Sequence, residues 1–265
     1  MKKKFYTAIL LIAMIMVSLF SGCSEKSKKT DVIGIIGAMD VEVSTLKDAT
    51  NITKTKTIAG MDFCQGRLEG KDVVIVKCGM GKVNAGVCAN TLISDFGCTK
   101  IINTGVAGSL DSKIDIGDIV ISTDAVQHDF DASFLGFAKG EIPYTGEYAF
   151  PADAYLRSAA VEAVKECTHG IHVFEGRICS GDQFISETKQ KDTITSNFGG
   201  MCCEMEGGAI AQVCYLNNIP FVIIRAISDK PDETEYVDYT VFEKQAAEHC
   251  AKIVLNMIEK YTPNK

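Results

Sequence analysis

Hydrophobic and polar positions along the chain follow two alternating patterns. Continuous apolar runs bounded by glycines or polar turns predict buried strands, whereas apolar positions repeated every three or four residues predict amphipathic helices. The predicted strands are 32–38, 57–68, 73–76, 101–104, 119–122, 172–180, 201–205 and 221–226, and the predicted helices are 82–96, 152–167, 206–217 and 240–261. Strands that alternate with helices indicate an α/β fold with a mostly parallel sheet covered on both faces.

The N-terminal segment has the pattern of an export signal. Three lysines, Lys2 to Lys4, precede an apolar run over residues 5–20 and small residues just before Cys23. A basic start, a short apolar run and small residues are typical of a cleaved signal peptide, and a membrane span needs about 20 apolar residues. Residues 19–23 (LFSGC) resemble a bacterial lipobox, so we expect Cys23 to carry lipid and the domain to face outside the cytoplasm. The expected organisation is a lipoprotein signal peptide over 1–22, a polar linker over 23–31 and one domain over 32–261.

Composition and charge limit the classes of molecule that this protein can bind. The 265 residues carry 27 Lys and Arg against 34 Asp and Glu, a net charge of −7, and 46% of them are hydrophobic. This composition is that of a globular protein and excludes a collagen-like or disordered chain. The acidic balance argues against nucleic-acid binding, which needs clustered basic residues. It also indicates that only the lipid anchor touches the membrane, because anionic lipids repel an acidic surface.

Eleven cysteines raise the question of disulfides or zinc. Apart from Cys23, most lie inside apolar strand or helix patterns, where cysteine acts as a small hydrophobic residue. The sequence has no CxxC pair, and its four histidines are scattered, so the spacing does not favour a zinc site. We expect the ten remaining cysteines to be mostly reduced.

The ends of the predicted strands carry the candidate chemistry. Two glycine loops, 79–81 and 105–108, follow strands, and glycine lets a ligand approach backbone N–H groups. Neither loop matches a dinucleotide-binding or P-loop pattern. In open α/β sheets ligands bind beyond the carboxyl ends of the strands, so a single crevice for a small molecule is predicted. The other strand-end residues in this prediction are Asp40, Glu42, Asp182, Phe184, Glu204, Glu206, Arg225, Ser228 and Asp229.

Six segments together resemble one enzyme family. They are GIIGAMDVEV (34–43), GMGKVNA (79–85), INTGVAG (102–108), SGDQFI (180–185), EME (204–206) and RAISD (225–229). In this order they resemble the 5′-methylthioadenosine/S-adenosylhomocysteine nucleosidases over about residues 32–261. The resemblance implies a three-layer α/β/α fold of the nucleoside-phosphorylase type, a homodimer, and a site without metal or organic cofactor.

The resemblance also implies a reaction and its residues. The N-glycosidic bond of 5′-methylthioadenosine and S-adenosylhomocysteine, and of 5′-deoxyadenosine as a further candidate, would be hydrolysed to adenine and the 5′-substituted ribose. Such a bond breaks through an oxocarbenium-like state that needs an acid for the leaving group and an activated water. Asp229 corresponds to the acid at adenine N7, with Ser228 orienting it, and Glu42 corresponds to the residue that activates the water. Glu206 would accept the two ribose hydroxyls, beside Arg225.

Further substrate contacts are implied by the same resemblance. Phe184 would stack on adenine while the backbone of Ile185 reads its edge, and Met205 would lie against the sugar. The remaining contacts are the Ala107 and Gly108 backbone loop, Tyr239 over the 5′ substituent, and Leu135 and Pro143 contributed by the dimer partner.

Two alternatives share parts of this pattern. A purine nucleoside phosphorylase would need arginine or equivalent donors for phosphate near the first strand and glycine loop, where the sequence offers Lys82 alone and a carboxylate at Glu42. A nucleoside-binding lipoprotein without activity would not need Glu42 or Asp229, yet both are present.

The lipobox pattern gives a direct prediction. Cys23→Ala should abolish both lipid labelling and signal-peptide processing in cells, because the thioether forms on this sulfur. Metabolic labelling with a fatty-acid analogue measures the effect. Equal labelling of the wild type and the variant would contradict the anchor.

Overall fold

The computed structural model describes residues 31–168, 170–230 and 235–262, with the backbone alone over 235–241. The expected signal peptide, Cys23 and most of the linker lie outside these residues. The described strands are β1 Val32–Gly37, β2 Asn51–Ile58, β3 Met61–Leu68, β4 Lys71–Lys77, β5 Lys100–Ser109, β6 Ile119–Gln127, β7 Phe150–Pro151, β8 Val173–Ser180, β9 Cys202–Glu204 and β10 Phe221–Asp229. The helices are α1 Asp40–Ala49, α2 Lys82–Ser94, α3 Ala154–Cys167, α4 Thr188–Phe198, α5 Gly207–Leu216 and α6 Glu235–Lys260, with a 3-10 turn at Ser133–Leu135.

The strands form one mixed sheet in the order β10-β6-β8-β9-β5-β1-β4-β3-β2. Because β10 also pairs with β5, five strands close into a ring, and the short β7 pairs with β6. The pairs of β1 with β4, β1 with β5 and β5 with β10 are parallel, as are β6 with β8 and β8 with β9. The hairpins at β2, β3 and β4 and the pairs of β10 with β6 and β5 with β9 are antiparallel. The predicted α/β class is confirmed, and its central sheet is mixed.

Helices cover both faces of the sheet. On one face, Val43 of α1, Leu156 of α3 and Ile253 of α6 join one hydrophobic cluster with Ile33 and Ile35 of β1. On the other face, α2 and α5 pack on the sheet through a second cluster that includes Cys88, Leu92, Ile210 and Cys214. Residues Ile33, Ile35 and Ile36 are 1%, 0% and 0% exposed, so β1 is buried on both sides. The three-layer α/β/α arrangement is therefore confirmed.

Several element boundaries differ from the sequence prediction. The single strand expected over 57–68 is two strands, β2 and β3, separated by a turn in which Ala59 and Gly60 take φ angles of 51° and 77°. Helix α3 begins at Ala154 instead of 152, because the Asp153 side chain caps it by accepting from the Leu156 N–H at 2.9 Å. Helix α6 begins at Glu235, five residues earlier than predicted.

Two helices were not predicted at all. Helix α1 buries Glu42 together with Val43 and Leu46, and a glutamate on the inner face breaks the apolar periodicity. Helix α4 is mostly polar and buries Ile194 and Phe198. Among the described residues, no helix is long and apolar enough to cross a membrane.

Candidate active site

The candidate site lies where strand β5 changes its neighbour. On one side β5 pairs with β1 as far as Asn103, opposite Ile36, and with β9 from Gly108 onwards, opposite Cys203. Strands β1 and β9 therefore end at this point from opposite directions, and their last residues face each other across residues 104–107. Part of the strand-end set predicted from the sequence lines one cavity here, whereas Asp40, Asp182 and Arg225 are not among the lining residues. Strands β8 and β9 run against the direction of β1, β4, β5 and β10.

A cavity opens at this point in the sheet. It is lined by Ala38, Met39, Glu42, Met80, Val106, Ala107, Gly108, Phe184, Cys203, Glu204, Met205, Glu206, Ser228 and Asp229. The structure thus brings together eight of the predicted site residues, namely Glu42, Ala107, Gly108, Phe184, Met205, Glu206, Ser228 and Asp229.

Glu42 fills the gap that β1 and β9 leave along β5. One carboxylate oxygen, Oε2, accepts from the Ala38 N–H at 2.6 Å and the Met39 N–H at 3.0 Å. The other, Oε1, accepts from the Val106 N–H at 3.1 Å, in the stretch of β5 between its two neighbours. Burial raises the pKa of Glu42, against the opposing effects of Arg225 and of these backbone hydrogen bonds. A desolvated carboxylate of this kind is a stronger base than an exposed glutamate.

Arg225 lies beneath the cavity as a buried cation. Its guanidinium is 1% exposed and contacts Glu204 directly, Glu206 at 3.7 Å and Glu42 at 4.0 Å. It also donates to the Asn103 Oδ1 at 2.7 Å. Burial would lower the pKa of Arg225, but the three carboxylates raise it, so the group stays charged. The predicted substrate residue Arg225 therefore holds the carboxylates and is not among the lining residues.

Glu206 is the carboxylate of this cluster that titrates near neutrality. Its Oε1 accepts from the Gly81 N–H at 2.9 Å, which ties the first glycine loop to the site. Burial and the neighbouring charge of Glu204 raise the pKa of Glu206 to about 7 from an ordinary value of 4.5, although Arg225 acts in the opposite direction. Near neutral pH the group thus exchanges between its protonated and ionised forms.

Asp229 and Ser228 reach the cavity through an irregularity in β10. Ile227 pairs with Ala107 and Asp229 with Gly108, so Ser228 is an extra residue in the ladder. The Ser228 hydroxyl donates to Asp229 Oδ1 at 2.6 Å and lies 3.5 Å from the Ala107 carbonyl oxygen. Both residues are buried, at 0% and 3% exposure, and the serine fixes the orientation of the carboxyl group.

Glycines make room for these carboxyl groups. A Cβ on Gly105 would lie 2.2 Å from Arg225 Nη1 and 2.3 Å from Glu42 Oε1, and a Cβ on Gly108 would lie 2.8 Å from Asp229 Oδ2. Any side chain at Gly105 would therefore displace the buried ion pair. The glycine loop on β5 serves to seat the charged groups of the site.

The other predicted contact residues, Ile185, Leu135, Pro143 and Tyr239, are not among the residues that line the cavity. The Ile185 side chain packs in a separate cluster with Ile194 and Phe198 of α4. Leu135 is 72% exposed in the 3-10 turn, and Pro143 is partly buried in the following loop. Tyr239 lies on α6, where its side chain is outside the described residues.

Sequence reasoning gave no role to several residues that build the site. The sequence predicts Glu204 as one of the strand-end carboxylates, but its contact with Arg225 depends on the pairing of β9 with β5 and β8. Asn103, Met39 and Met80 were not singled out as site residues. The EME segment was the available signal, since two carboxylates around one position at a strand end need a nearby cation to be buried together.

The thiols and acids of the described residues form no metal centre. No group of three or more His, Cys, Asp or Glu side chains there could hold a metal ion. The ten cysteines from Cys64 to Cys250 have free thiols, all buried except the partly exposed Cys167.

Comparison with known proteins defines the class of this fold and site. The family model described as the phosphorylase superfamily matches residues 32–259. The chain is 40% identical over 233 residues to a 5′-methylthioadenosine/S-adenosylhomocysteine nucleosidase of Shewanella sp. (strain MR-7), covering 88% of this chain and 98% of the relative. These matches make it a phosphorylase-superfamily protein.

Solved structures narrow the class further. The Neisseria meningitidis 5′-methylthioadenosine/S-adenosylhomocysteine nucleosidase, in complex with methylthio-immucillin-A, superposes with a TM-score of 0.84 at 35% identity, covering 87% of this chain and 100% of that one. A futalosine hydrolase of Helicobacter pylori strain 26695 gives a TM-score of 0.83 at 30% identity, covering 89% and 100%. The chain belongs to the 5′-methylthioadenosine/S-adenosylhomocysteine nucleosidase family, as its sequence segments predict.

The raised pKa of Glu206 predicts how stability depends on pH. A carboxyl whose pKa is higher in the folded state than the ordinary 4.5 binds its proton more tightly when folded, so the free energy of unfolding falls as pH rises from about 4.5 to about 7. Glu206→Gln removes this titration. From about pH 5 to about pH 8 the wild type should lose on the order of 2 kcal/mol relative to the variant, measured by urea unfolding.

Glu69→Gln is the matched control for this titration. Glu69 is exposed in the turn between β3 and β4, so the same change of charge there should leave the pH profile of the wild type unaltered. A difference between the wild type and Glu206→Gln that stays constant with pH would contradict the raised pKa.

Proposed function

We propose that this protein hydrolyses the N-glycosidic bond of 5′-methylthioadenosine and S-adenosylhomocysteine, releasing adenine and the 5′-substituted ribose. The observation that carries the proposal is the placement of Glu42 and Asp229 in one cavity beside a buried carboxylate, Glu206. It is supported by relatives and solved structures of the same family over most of the chain.

Asp229 is the residue suited to protonate the leaving base. Its carboxyl is buried and oriented by Ser228, and the glycine at position 108 lets its second oxygen lie close to the β5 backbone. Phe184 lines the same cavity and is 48% exposed, and its ring is the aromatic group suited to stack on the purine. Transfer of a proton to adenine N7 makes the base a better leaving group as the bond to the sugar breaks.

Glu42 is the residue suited to activate water. Three backbone N–H groups fix its carboxylate in the gap of the sheet, and burial keeps it more basic than an exposed glutamate. A water next to it attacks the sugar carbon as positive charge develops there, and the proton passes to Glu42. The negative charges around the cavity stabilise that positive charge.

Glu206 and Met205 are suited to hold the ribose. A carboxylate offers two acceptor oxygens, which match the two hydroxyls of a cis-diol. Glu206 keeps one oxygen on the Gly81 N–H, so the ribose hydroxyls add to an acceptor that is already oriented. Met205, partly buried on the cavity wall, supplies an apolar contact.

The charges of the cavity oppose phosphate as the nucleophile. No lysine, arginine or histidine is among the described residues that line the cavity. Arg225 already contacts three carboxylates, and the Lys82 Nζ lies 2.5 Å from Asp129 Oδ1. A phosphate beside Glu42 would meet a like charge, and the cavity lining within the described part of the chain supplies no cation to offset it.

The 5′ side of the substrate accommodates more than one group. Met80 lines the cavity and is 61% exposed, so we place the 5′ group of the substrate beside this exposed side chain. We therefore include 5′-deoxyadenosine among the substrates, since it presents the same adenine and ribose with a smaller 5′ group.

The products of the reaction distinguish hydrolysis from phosphorolysis. With 5′-methylthioadenosine, the wild type should give adenine and free methylthioribose at a rate independent of added phosphate. Glu42→Gln and Asp229→Asn should still bind substrate but lose kcat by a factor on the order of 10²–10⁴, because each removes one proton transfer. Chromatography of the products and steady-state kinetics measure both effects.

Two results would contradict this mechanism. If methylthioribose 1-phosphate were the main product, the protein would be a phosphorylase and not a hydrolase. If either variant turned over at nearly the wild-type rate, the residue that it replaces would not transfer a proton in the reaction.

We also propose that two copies of this chain form a dimer in which Leu135 and Pro143 approach the partner's site. The support is an exposed apolar surface on residues 134–144: Phe134 is 100% exposed, Leu135 72% and Tyr144 97%. Large apolar side chains grouped in this way are typical of a protein–protein contact. The family resemblance of the sequence provides the reason to choose a second copy as the partner.

Disruption of this surface tests the dimer. Leu135→Asp places a charge on it and should shift the protein from dimer to monomer in sedimentation velocity, with a loss of kcat/KM. Ile52→Asp, on the edge strand β2 and 39% exposed, is the control and should keep the wild-type state. A monomeric wild type would contradict the proposal.

The lipid anchor at Cys23 remains our proposal for localisation. It is supported by the lipobox pattern of the sequence and is tested by the Cys23→Ala labelling described above.

A further inference from the structure

Ser180 occupies a junction between the two halves of the site. It is the last residue of β8, is 0% exposed, and directly precedes the loop that carries Phe184. It is paired in register with Glu204 of β9, and the Gly181 N–H donates to the Glu204 carbonyl oxygen at 3.0 Å. The strand end that leads to the base-binding loop is thus joined to the strand end that leads to the ribose-binding carboxylate.

The Ser180 hydroxyl uses both of its hydrogen-bonding capacities. It donates to Glu204 Oε1 and accepts from the Gly208 N–H at 2.6 Å. Glu204 Oε2 in turn accepts from the Glu206 N–H at 3.1 Å and the Gly207 N–H at 2.7 Å, and it contacts Arg225. The carboxylate of Glu204 is therefore saturated, with Ser180 as its donor on one oxygen.

Close packing fixes this arrangement. A Cβ on Gly208 would lie 2.9 Å from Ser180 Cβ, and a Cβ on Gly207 would lie 3.0 Å from Glu204 Oε1. The start of helix α5 is drawn against Ser180 and Glu204 as closely as glycine allows. Glu206 is the residue just before α5, so these contacts also fix its position.

We infer that Ser180 is a positioning residue for ribose recognition, which acts through Glu204 and the start of α5 on Glu206. This inference rests on the proposed function. Ser180 is not among the residues lining the cavity, so its hydroxyl acts on the substrate through other groups. Without it, Glu204 Oε1 loses its donor and the Gly208 N–H loses its acceptor, which frees Glu206 to leave the diol.

The test separates ribose recognition from base recognition. The Asp229→Asn variant is expected to bind 5′-methylthioadenosine and to cleave it slowly, so binding can be measured before cleavage. In this variant, calorimetry gives the affinities for 5′-methylthioadenosine and for adenine. Adding Ser180→Ala should weaken the nucleoside by about 10–100-fold, as expected when a hydrogen bond to a charged group is lost. Adenine, which has no ribose, should change by less than about threefold.

Ser122→Ala is the matched control. Ser122 lies on β6 and is as buried as Ser180. Its hydroxyl accepts a hydrogen bond from the Ile223 N–H of β10 at 2.9 Å. The Ser122→Ala variant removes a buried hydroxyl that does not contact the carboxylates of the site. It should leave the affinities for 5′-methylthioadenosine and for adenine unchanged. If Ser180→Ala does not fold, Ser180→Cys retains the shape with a weaker donor and should show a loss in the same direction.

The outcomes separate this inference from the proposed function. A wild type that releases no adenine from 5′-methylthioadenosine contradicts the proposed function. A wild type that does so, with a Ser180 variant that behaves like Ser122→Ala or loses adenine and nucleoside equally, overturns the positioning role. Selective loss of the nucleoside supports it.

Discussion

The site depends on one buried ion cluster. A guanidinium moved out of water is costly unless charged partners surround it. Arg225 has three carboxylate partners, one on α1, one at the end of β9 and one just before α5. The first glycine loop is tied to this cluster by the Gly81 N–H on Glu206, and the second by the Val106 N–H on Glu42. Burial, together with the excess of carboxylates over the cation, raises the pKa of Glu206 to about 7, so the cluster retains a proton near neutral pH.

The cluster explains why the sheet is built as it is. Strands β1 and β9 stop short of each other along β5, and the Val106 N–H that lies between them donates to Glu42. A continuous ladder would satisfy that group with backbone and leave no room for a side chain. The Glu42 carboxylate therefore needs both the gap in the sheet, which leaves the Val106 N–H for it, and the glycine at position 105, which leaves room for it.

Much of this could be predicted from the sequence, and the failures have physical causes. The buried strands, three of the helices to within a few residues, the family, and the shared cavity around Glu42 and Asp229 follow from apolar runs and local segments. Helix α1 was missed because its inner face carries a buried glutamate, and α4 because few of its residues are apolar. The ring closure and the role of Glu204 depend on pairings between distant strands, which local patterns do not encode.

The arrangement of the strands also affects how the protein behaves in a concentrated solution. The ring of β5, β10, β6, β8 and β9 has no unpaired outer strand, whereas β2 at the other end of the sheet presents its free side to solvent. An exposed edge invites pairing with another chain and growth into aggregates. Strand β2 carries Lys54 and Lys56 among threonines, almost wholly exposed. A second copy that added to this edge would bring like charges together, so the edge itself discourages aggregation.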